Sequence, residues 1–198
     1  GGAAGYGLDL ALGCDIRIAA DTAKLNPGFA KRGILPESGG TWLLPRLVGR
    51  AFTLRFVPAR EDLATPESWS SPISTRAAIE AMPAGCIAVV DSMGVQDAGI
   101  FGDILCARIA RRGVAALVTD GVVRDVAGVR ATGLPVWCQG AAAPPSVAGL
   151  TFVDWGEPVG CGGVAVFPDD VVVVDDDGAV LIPQALVGEI AANAPEQE

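Results

Sequence analysis

The stretch CIAVVDSMGVQDAGIFGDILCARIARRGVAALVTDGVVRD (residues 86–125) decides the architecture. It opens on CIAVVD (86–91), a short apolar run ended by an acid, which reads as a buried strand. Gly102-Asp103 then begins a helix that continues to Arg112 and is stopped by Gly113. AALVTD (115–120) is a second buried strand. The alternation continues past this stretch. Val126–Thr132 reads as a short helix ended by Gly133, and LPVWCQ (134–139) as a third strand. Strands that alternate with helices at this spacing predict a parallel α/β core.

Outward from that core the pattern changes. Short strands are expected at 150–155, 163–167 and 171–175, with Asp177-Gly178 as a hairpin turn before AVLIP (179–183). Pro183 is placed to start a last helix. On the other side, AFTLRFV (51–57) sets Phe52, Leu54 and Phe56 against Thr53, Arg55 and Val57, a period-two strand. Residues 58–75 are polar and Pro-rich, and a helix is expected over 74–81. Residues 5–14 carry apolar residues at helical spacing, 15–20 alternate as a strand, 25–40 read as loop, and 41–50 as a short helix containing Pro45. The expected fold is α/β, with a β-α-β core and an antiparallel β flank. No internal repeat is visible.

Composition narrows the chemistry. The chain has 198 residues, 51% hydrophobic and 19% charged, which excludes disorder. No apolar run is long enough to span a membrane. A net charge of −9 and a pI near 4.4 argue against a nucleic-acid binder that relies on a basic face. With no histidine, Ser-His-Asp triads, Cys-His dyads, His-ligated zinc and haem are all excluded. Five cysteines at 14, 86, 106, 138 and 161 form no CxxC, as expected of free thiols in a reducing cytoplasm. The N-terminus shows no basic-then-apolar leader pattern, in keeping with a cytoplasmic location. Charge also divides the chain. Residues 1–50 hold six basic and four acidic residues, including both lysines, Lys24 and Lys31; residues 51–198 hold eight arginines and nineteen acids. Two stretches of different origin, 1–50 and 51–198, would give this division.

One constellation stands out for chemistry: Gly102-Asp103 with Arg124-Asp125. At the start of the helix, the amides of Ile104 and Leu105 would be available to a small anion such as a carboxylate. Arginine's fork can grip a carboxylate through two parallel hydrogen bonds. Asp125 can hold a hard cation, with waters in its other positions, and Asp103 could orient one of those waters. A first-turn acid and a surface ion pair would account for the same four residues. Asp175-Asp176-Asp177 has the look of a metal cluster, but three acids before a glycine more often form a solvated turn. Asp169-Asp170 reads the same way. Cys161, with no histidine to activate it, is expected to be buried and structural. Trp69, Trp137 and Trp155 are expected in the core or at an interface.

Four stretches carry a resemblance: FTLRFVPAREDLATPESW (52–69), DSMGVQDAGIFGDILCARIARRGVAALVTDGVVRD (91–125), GLPVWCQGAAAPPSVAGL (133–150) and CGGVAVFPDDVVVVDDDGAVLIP (161–183). Together they resemble the RraA-like family, which includes regulators of ribonuclease activity and metal-dependent 4-hydroxy-4-methyl-2-oxoglutarate aldolases. The resemblance spans Phe52–Ile182, about two thirds of the chain, and marks residues 51–198 as a domain without the family's N-terminal helices. It implies a β-α-β core, assembly as trimers or hexamers, and, in the aldolase branch, a site built from Gly102, Asp103, Arg124 and Asp125. It also implies that an acid from a neighbouring subunit completes the metal site, partly from the N-terminal region this chain lacks.

Residues 1–50 resemble a different family. GGAAGYGLDLALGCDIRIAADTAKLNPGFAKRGILPESGGTWLLPRLVGRA (1–51) is similar to the middle of a crotonase, the enoyl-CoA hydratase/isomerase family. An oxyanion donor would fall near Tyr6, and the two hydratase carboxylates at Asp9 and Phe29, so one is shortened and one is lost. Glu37 stands where isomerase-like members carry an acid. The first oxyanion donor is missing, so a two-donor oxyanion hole cannot be completed. The segment thus reads as a partial crotonase-like helix-strand fragment joined near 50/51.

The leading functional expectation is a lyase that cleaves a 4-hydroxy-2-oxo acid to release pyruvate, with oxaloacetate decarboxylation as a side activity. A Schiff-base aldolase needs a lysine, and residues 51–198 have none. A site of carboxylate, arginine and Mg²⁺ or Mn²⁺ is what remains, the cation polarising the 2-keto oxygen. Arg124 and Asp103 take the catalytic roles. Gly102, Ile104, Leu105 and Arg124 bind substrate, and Asp125 binds metal. The alternatives are a non-enzymatic regulator that binds ribonuclease E and, less favoured, an acyl-CoA hydratase or isomerase.

Overall fold

The computed structural model describes residues 2–4, 24–26, 48–63, 65–175 and 178–193. Two short strands, β1 (Gly2–Ala4) and β2 (Lys24–Asn26), pair in parallel. Tyr6, Asp9, Cys14, Phe29, Glu37 and the helix and strand expected between 5 and 20 lie outside the described residues. So does most of the 25–40 loop, whose first two positions belong to β2.

The long strand β3 (Val48–Pro58) organises the rest. It is followed by α1 (Thr75–Ala81), β4 (Ile87–Asp91), α2 (Asp103–Arg111), β5 (Ala116–Thr119), α3 (Val126–Ala131) and β6 (Val136–Trp137). Then come β7 (Leu150–Trp155), the hairpin β8 (Val171–Asp175) and β9 (Gly178–Ile182), and α4 (Val187–Asn193). The sheet runs β6-β5-β4-β3-β8-β9, with β7 also on β3. β4, β5 and β6 are parallel to β3 or to one another, whereas β7 and β8 are antiparallel to β3. β3 manages three neighbours by dividing its length. Val48–Arg50 pair with β8, Ala51–Arg55 with β4, and Leu54–Pro58 with β7, with a register shift at Arg55/Phe56. The result is the expected α/β sheet with an antiparallel flank.

Alternation explains why the central strands read as unbroken apolar runs. Ala88 and Val90 of β4 face one core with Leu54, Phe56, Ile79, Phe101, Ile109 and Leu117; the helices α1, α2 and α3 cover it. Ile87 and Val89 face a second core with Ala51, Ala116, Cys161, Val172 and Val174. A strand buried on both faces needs no polar alternation. The helix starts and stops also follow the sequence. Ser74 caps α1 by accepting from the Ala77 amide at 3.2 Å, and α2 and α3 end before Gly113 and Gly133, both left-handed.

Four expectations change. Val48–Arg50 are strand, not the end of a helix, so β3 runs through the 50/51 junction; residues 41–47 lie outside the description. No strand forms over 163–167. Gly162 and Gly163 take positive φ and close a tight turn over Cys161–Gly163, leaving one bridge, Val159 to Val166. In the last hairpin Gly178 pairs with Asp175 and belongs to β9 rather than to the turn; Asp177 lies outside the described residues. Pro183 precedes a single 3-10 turn, and α4 starts only at Val187.

Candidate functional site

The loops that leave β4, β5 and β6 gather at the carboxyl ends of the parallel strands, where open α/β sheets bind ligands. They continue the ladder beyond the sheet. Gly99 bridges in parallel to Val122 and Pro145, and Val123 to Ala141. The Ile100 amide donates to Val122 O (2.9 Å), Arg124 N to Phe101 O (3.0 Å) and Ala142 N to Val123 O (3.0 Å). This backbone lacing lays Phe101-Gly102 beside Arg124-Asp125, across 21 residues of sequence. Two acids the sequence reading passed over anchor the loops. Asp120 accepts from the Ser92 amide (2.8 Å), the Ser92 hydroxyl (2.9 Å) and the Gly94 amide (3.1 Å). Asp91 accepts from the Met93 amide (3.0 Å) and the Gly160 amide (3.1 Å). Their signal in the sequence was position: each is the acid at, or just after, the end of a buried strand.

The four singled-out residues come together. A Cβ on Gly102 would collide with the Asp125 carboxylate and stand 3.0 Å from Arg124 Nε. Arg124 Nε lies 3.8 Å from Asp125 Oδ2, a loose ion pair with both side chains partly exposed. No other described residue pairs with the Arg124 guanidinium, so most of its donors are free for a ligand. Asp125 holds a left-handed backbone (φ 54°, ψ 43°) at the start of α3, a conformation that costs energy for a non-glycine residue and gathers at functional sites. Asp103, at the start of α2, rests against Gly128 of α3.

One expectation is corrected. The Ile104 amide is not free: it donates to Asp103 Oδ1 at 2.7 Å. The first helical bond of α2 runs from Cys106 N to Gly102 O, which leaves the Leu105 amide in the first turn without an intrahelical acceptor. The Ile104 side chain is 79% exposed, while the Leu105 side chain packs on the first core.

A metal must be judged on the donors present. Among the described residues, no three His, Cys, Asp or Glu side chains gather as a cage. Asp125 offers one partly exposed carboxylate, and Asp103 is the residue that follows Gly102 in the chain. That donor set fits a hard cation such as Mg²⁺, which keeps several waters and binds proteins through one or two carboxylates. It does not fit an ion that needs a dedicated protein cage. The other acids have structural work. Asp175 caps its own turn by accepting from Gly178 N, and the Asp175 carbonyl accepts from Trp137 Nε1; Asp176 and Asp177 lie outside the described residues. Asp170 is buried and accepts from the Phe167 and Gln184 amides. Cys161 is buried, as expected, and its thiol faces Val90 O; burial pushes its pKa up to about 12.

Comparison with known proteins adds the family. A profile described as "RraA-like: Aldolase/RraA" matches residues 17–181, more than four fifths of the chain. The chain belongs to the RraA-like family. A crystal structure of Streptomyces coelicolor RraAS2, described as an unusual member of the RNase ES inhibitor RraA protein family, is 38% identical with a TM-score of 0.67. That match covers 77% of this chain and 72% of the other. A protein of Halalkalibacterium halodurans, provisionally named a 4-hydroxy-4-methyl-2-oxoglutarate aldolase, is 31% identical over 62% of this chain and 58% of its own length. A short segment is similar to a different group: the 1,2-epoxyphenylacetyl-CoA isomerase of Escherichia coli K12 is 61% identical over 51 residues, 26% of this chain and 20% of the isomerase. The chain spans less than two thirds of the length of these curated relatives. Among the described residues, no helix is long and apolar enough to cross a membrane.

Proposed function

We propose that this RraA-like chain is a divalent-metal-dependent aldolase that releases pyruvate from a 4-hydroxy-2-oxo acid of the 4-hydroxy-4-methyl-2-oxoglutarate or 4-carboxy-4-hydroxy-2-oxoadipate type, and decarboxylates oxaloacetate. One observation carries the reading: Gly102, Asp103, Arg124 and Asp125 meet at the carboxyl ends of the parallel strands, with the arginine largely unpaired and the bare Gly102 backbone letting Arg124 and Asp125 close on it. The similarity to the provisionally named aldolase supports it.

Arg124 binds the substrate's C1 carboxylate through its fork, and the Leu105 amide supplies a further donor. Asp125 would hold the Mg²⁺ or Mn²⁺. When bound, that ion supplies a Lewis acid beside the 2-keto oxygen. In the cleavage itself the C4 hydroxyl loses its proton, the C3–C4 bond breaks, and its electron pair passes into the enolate of pyruvate. C4 leaves as a carbonyl, and C3 is then protonated. Asp103 orients the water that moves these protons. We further propose that the chain works as a homotrimer or hexamer, as the resemblance implies, and that residues 1–50 are a crotonase-like fragment without acyl-CoA activity. A light-scattering mass of a single 20.1 kDa chain at micromolar concentration would speak against the assembly.

A second reading has its own support in the 38% identity to a member of an RNase ES inhibitor family. In that reading the chain masks a ribonuclease and the four residues are incidental. The two are separated by incubating the purified protein with 4-hydroxy-4-methyl-2-oxoglutarate and Mg²⁺, with and without EDTA, and following pyruvate. Release that stops with EDTA supports the aldolase. No release, together with binding to a ribonuclease E-type enzyme, supports the regulator.

A further inference from the structure

Glycines at a turn usually answer a demand for positive φ, but three glycines around this site do not. Gly99, Gly102 and Gly128 all have ordinary negative or extended backbone, yet none has room for a Cβ. A methyl group at Gly99 would stand 2.8 Å from Arg124 Cβ, and one at Gly102 would strike Asp125. Gly128 is the most telling. It sits inside α3, in helical hydrogen bonding with Thr132, where glycine weakens a helix relative to alanine. The space it leaves is filled from another helix: a Cβ there would stand 2.6 Å from Asp103 Cβ and 2.8 Å from Asp103 Oδ2.

The structure assigns Gly128 as the positioning residue for Asp103, trading helix stability for the close approach that fixes the carboxylate at the start of α2. The same carboxylate is held from its own side by the Ile104 amide. Asp103 is therefore clamped between a donor on α2 and a bare backbone face on α3, and the width of that slot sets where its free oxygen points. The catalytic consequence of the slot rests on the aldolase reading; the slot itself does not.

The test is a cycle of Gly128→Ala, Asp103→Gly and the double variant, with two readouts. The first is Mg²⁺-dependent pyruvate release from oxaloacetate. With Asp103 present, Gly128→Ala should lower kcat roughly 10- to 100-fold, the usual range for a misplaced outer group, with KM within about twofold. In the Asp103→Gly background the same change should leave the rate within about twofold. The second readout is thermal unfolding. Without the Asp103 side chain, Gly128→Ala should raise Tm by roughly 2–4 °C, as alanine does inside a helix of a chain this size; with Asp103 present Tm should stay level or fall. An equal rate loss in both backgrounds, or an equal rise of Tm in both, would overturn the assignment. If the wild-type protein releases no pyruvate, the aldolase reading fails and the Tm comparison alone decides the slot.

Discussion

At the scale of single residues, the site separates into groups with different consequences. In the proposed reaction Arg124 grips the substrate: its guanidinium has one loose ionic neighbour and lies against Gly102. Arg124→Ala removes a charge-assisted double hydrogen bond, worth roughly 10- to 100-fold in kcat/KM. If the grip also orients the reacting carbonyl, kcat falls along with the rise in KM. Glu157→Ala, at an exposed position with no assigned role, is the control and should leave both unchanged. Equal effects from the two would remove Arg124 from the site. The cysteines are a second residue-scale prediction. Burial pushes Cys86 up to about 11 and Cys106 and Cys161 up to about 12, so all three remain thiols near neutral pH, while Cys138 is exposed. Brief iodoacetamide treatment of the native protein at pH 8, mapped by peptide mass, should label Cys138 and spare these three until the chain unfolds. Rapid native labelling of Cys106 or Cys161 would contradict the burial.

At the scale of elements, most of what the sequence predicted was local, and most local signals held, the Asp177-Gly178 turn and the helix start at Pro183 excepted. The Ser74 cap, the glycine stops at 113 and 133 and the apolar runs of β4 and β5 each act within a few residues of their own position. Ser74→Ala should therefore lower unfolding stability by about 1 kcal/mol without changing the denaturant m-value. A loss near zero would mean that the 3.2 Å contact is idle. Illegible features were those settled by distant partners. The apolar residues of 163–167 favour a strand, and nothing in their alternation announces that Gly162 and Gly163 take positive φ and spoil it. Nothing near residue 48 shows that β8, more than a hundred residues later, will draw Val48–Arg50 into the sheet. The candidate site divides the same way. Its four residues were legible as a motif, but the Gly128 slot and the Asp91 and Asp120 anchors depend on contacts between loops that no spacing rule reports.

At the scale of the whole molecule, the seven-stranded sheet has a core on each face, the candidate site at one end and buried thiols within. The three raised thiols make alkaline stability a global readout. A thiol whose folded pKa exceeds the usual 9.0 contributes stability that is complete below that value and is lost as pH rises toward 11–12. The urea midpoint should thus fall between pH 8.5 and 10.5, and a midpoint that rose over this interval would contradict the direction. The central claim, that the cluster at the strand ends is a metal-dependent pyruvate site, is tested most directly by titrating Mg²⁺ into wild-type protein and Asp125→Ala while following pyruvate from oxaloacetate, with the protein-free rate subtracted. The expected result is saturable Mg²⁺ activation of the wild type and at least a 100-fold loss in Asp125→Ala that excess Mg²⁺ does not restore. Identical Mg²⁺ titrations for the two proteins would contradict it.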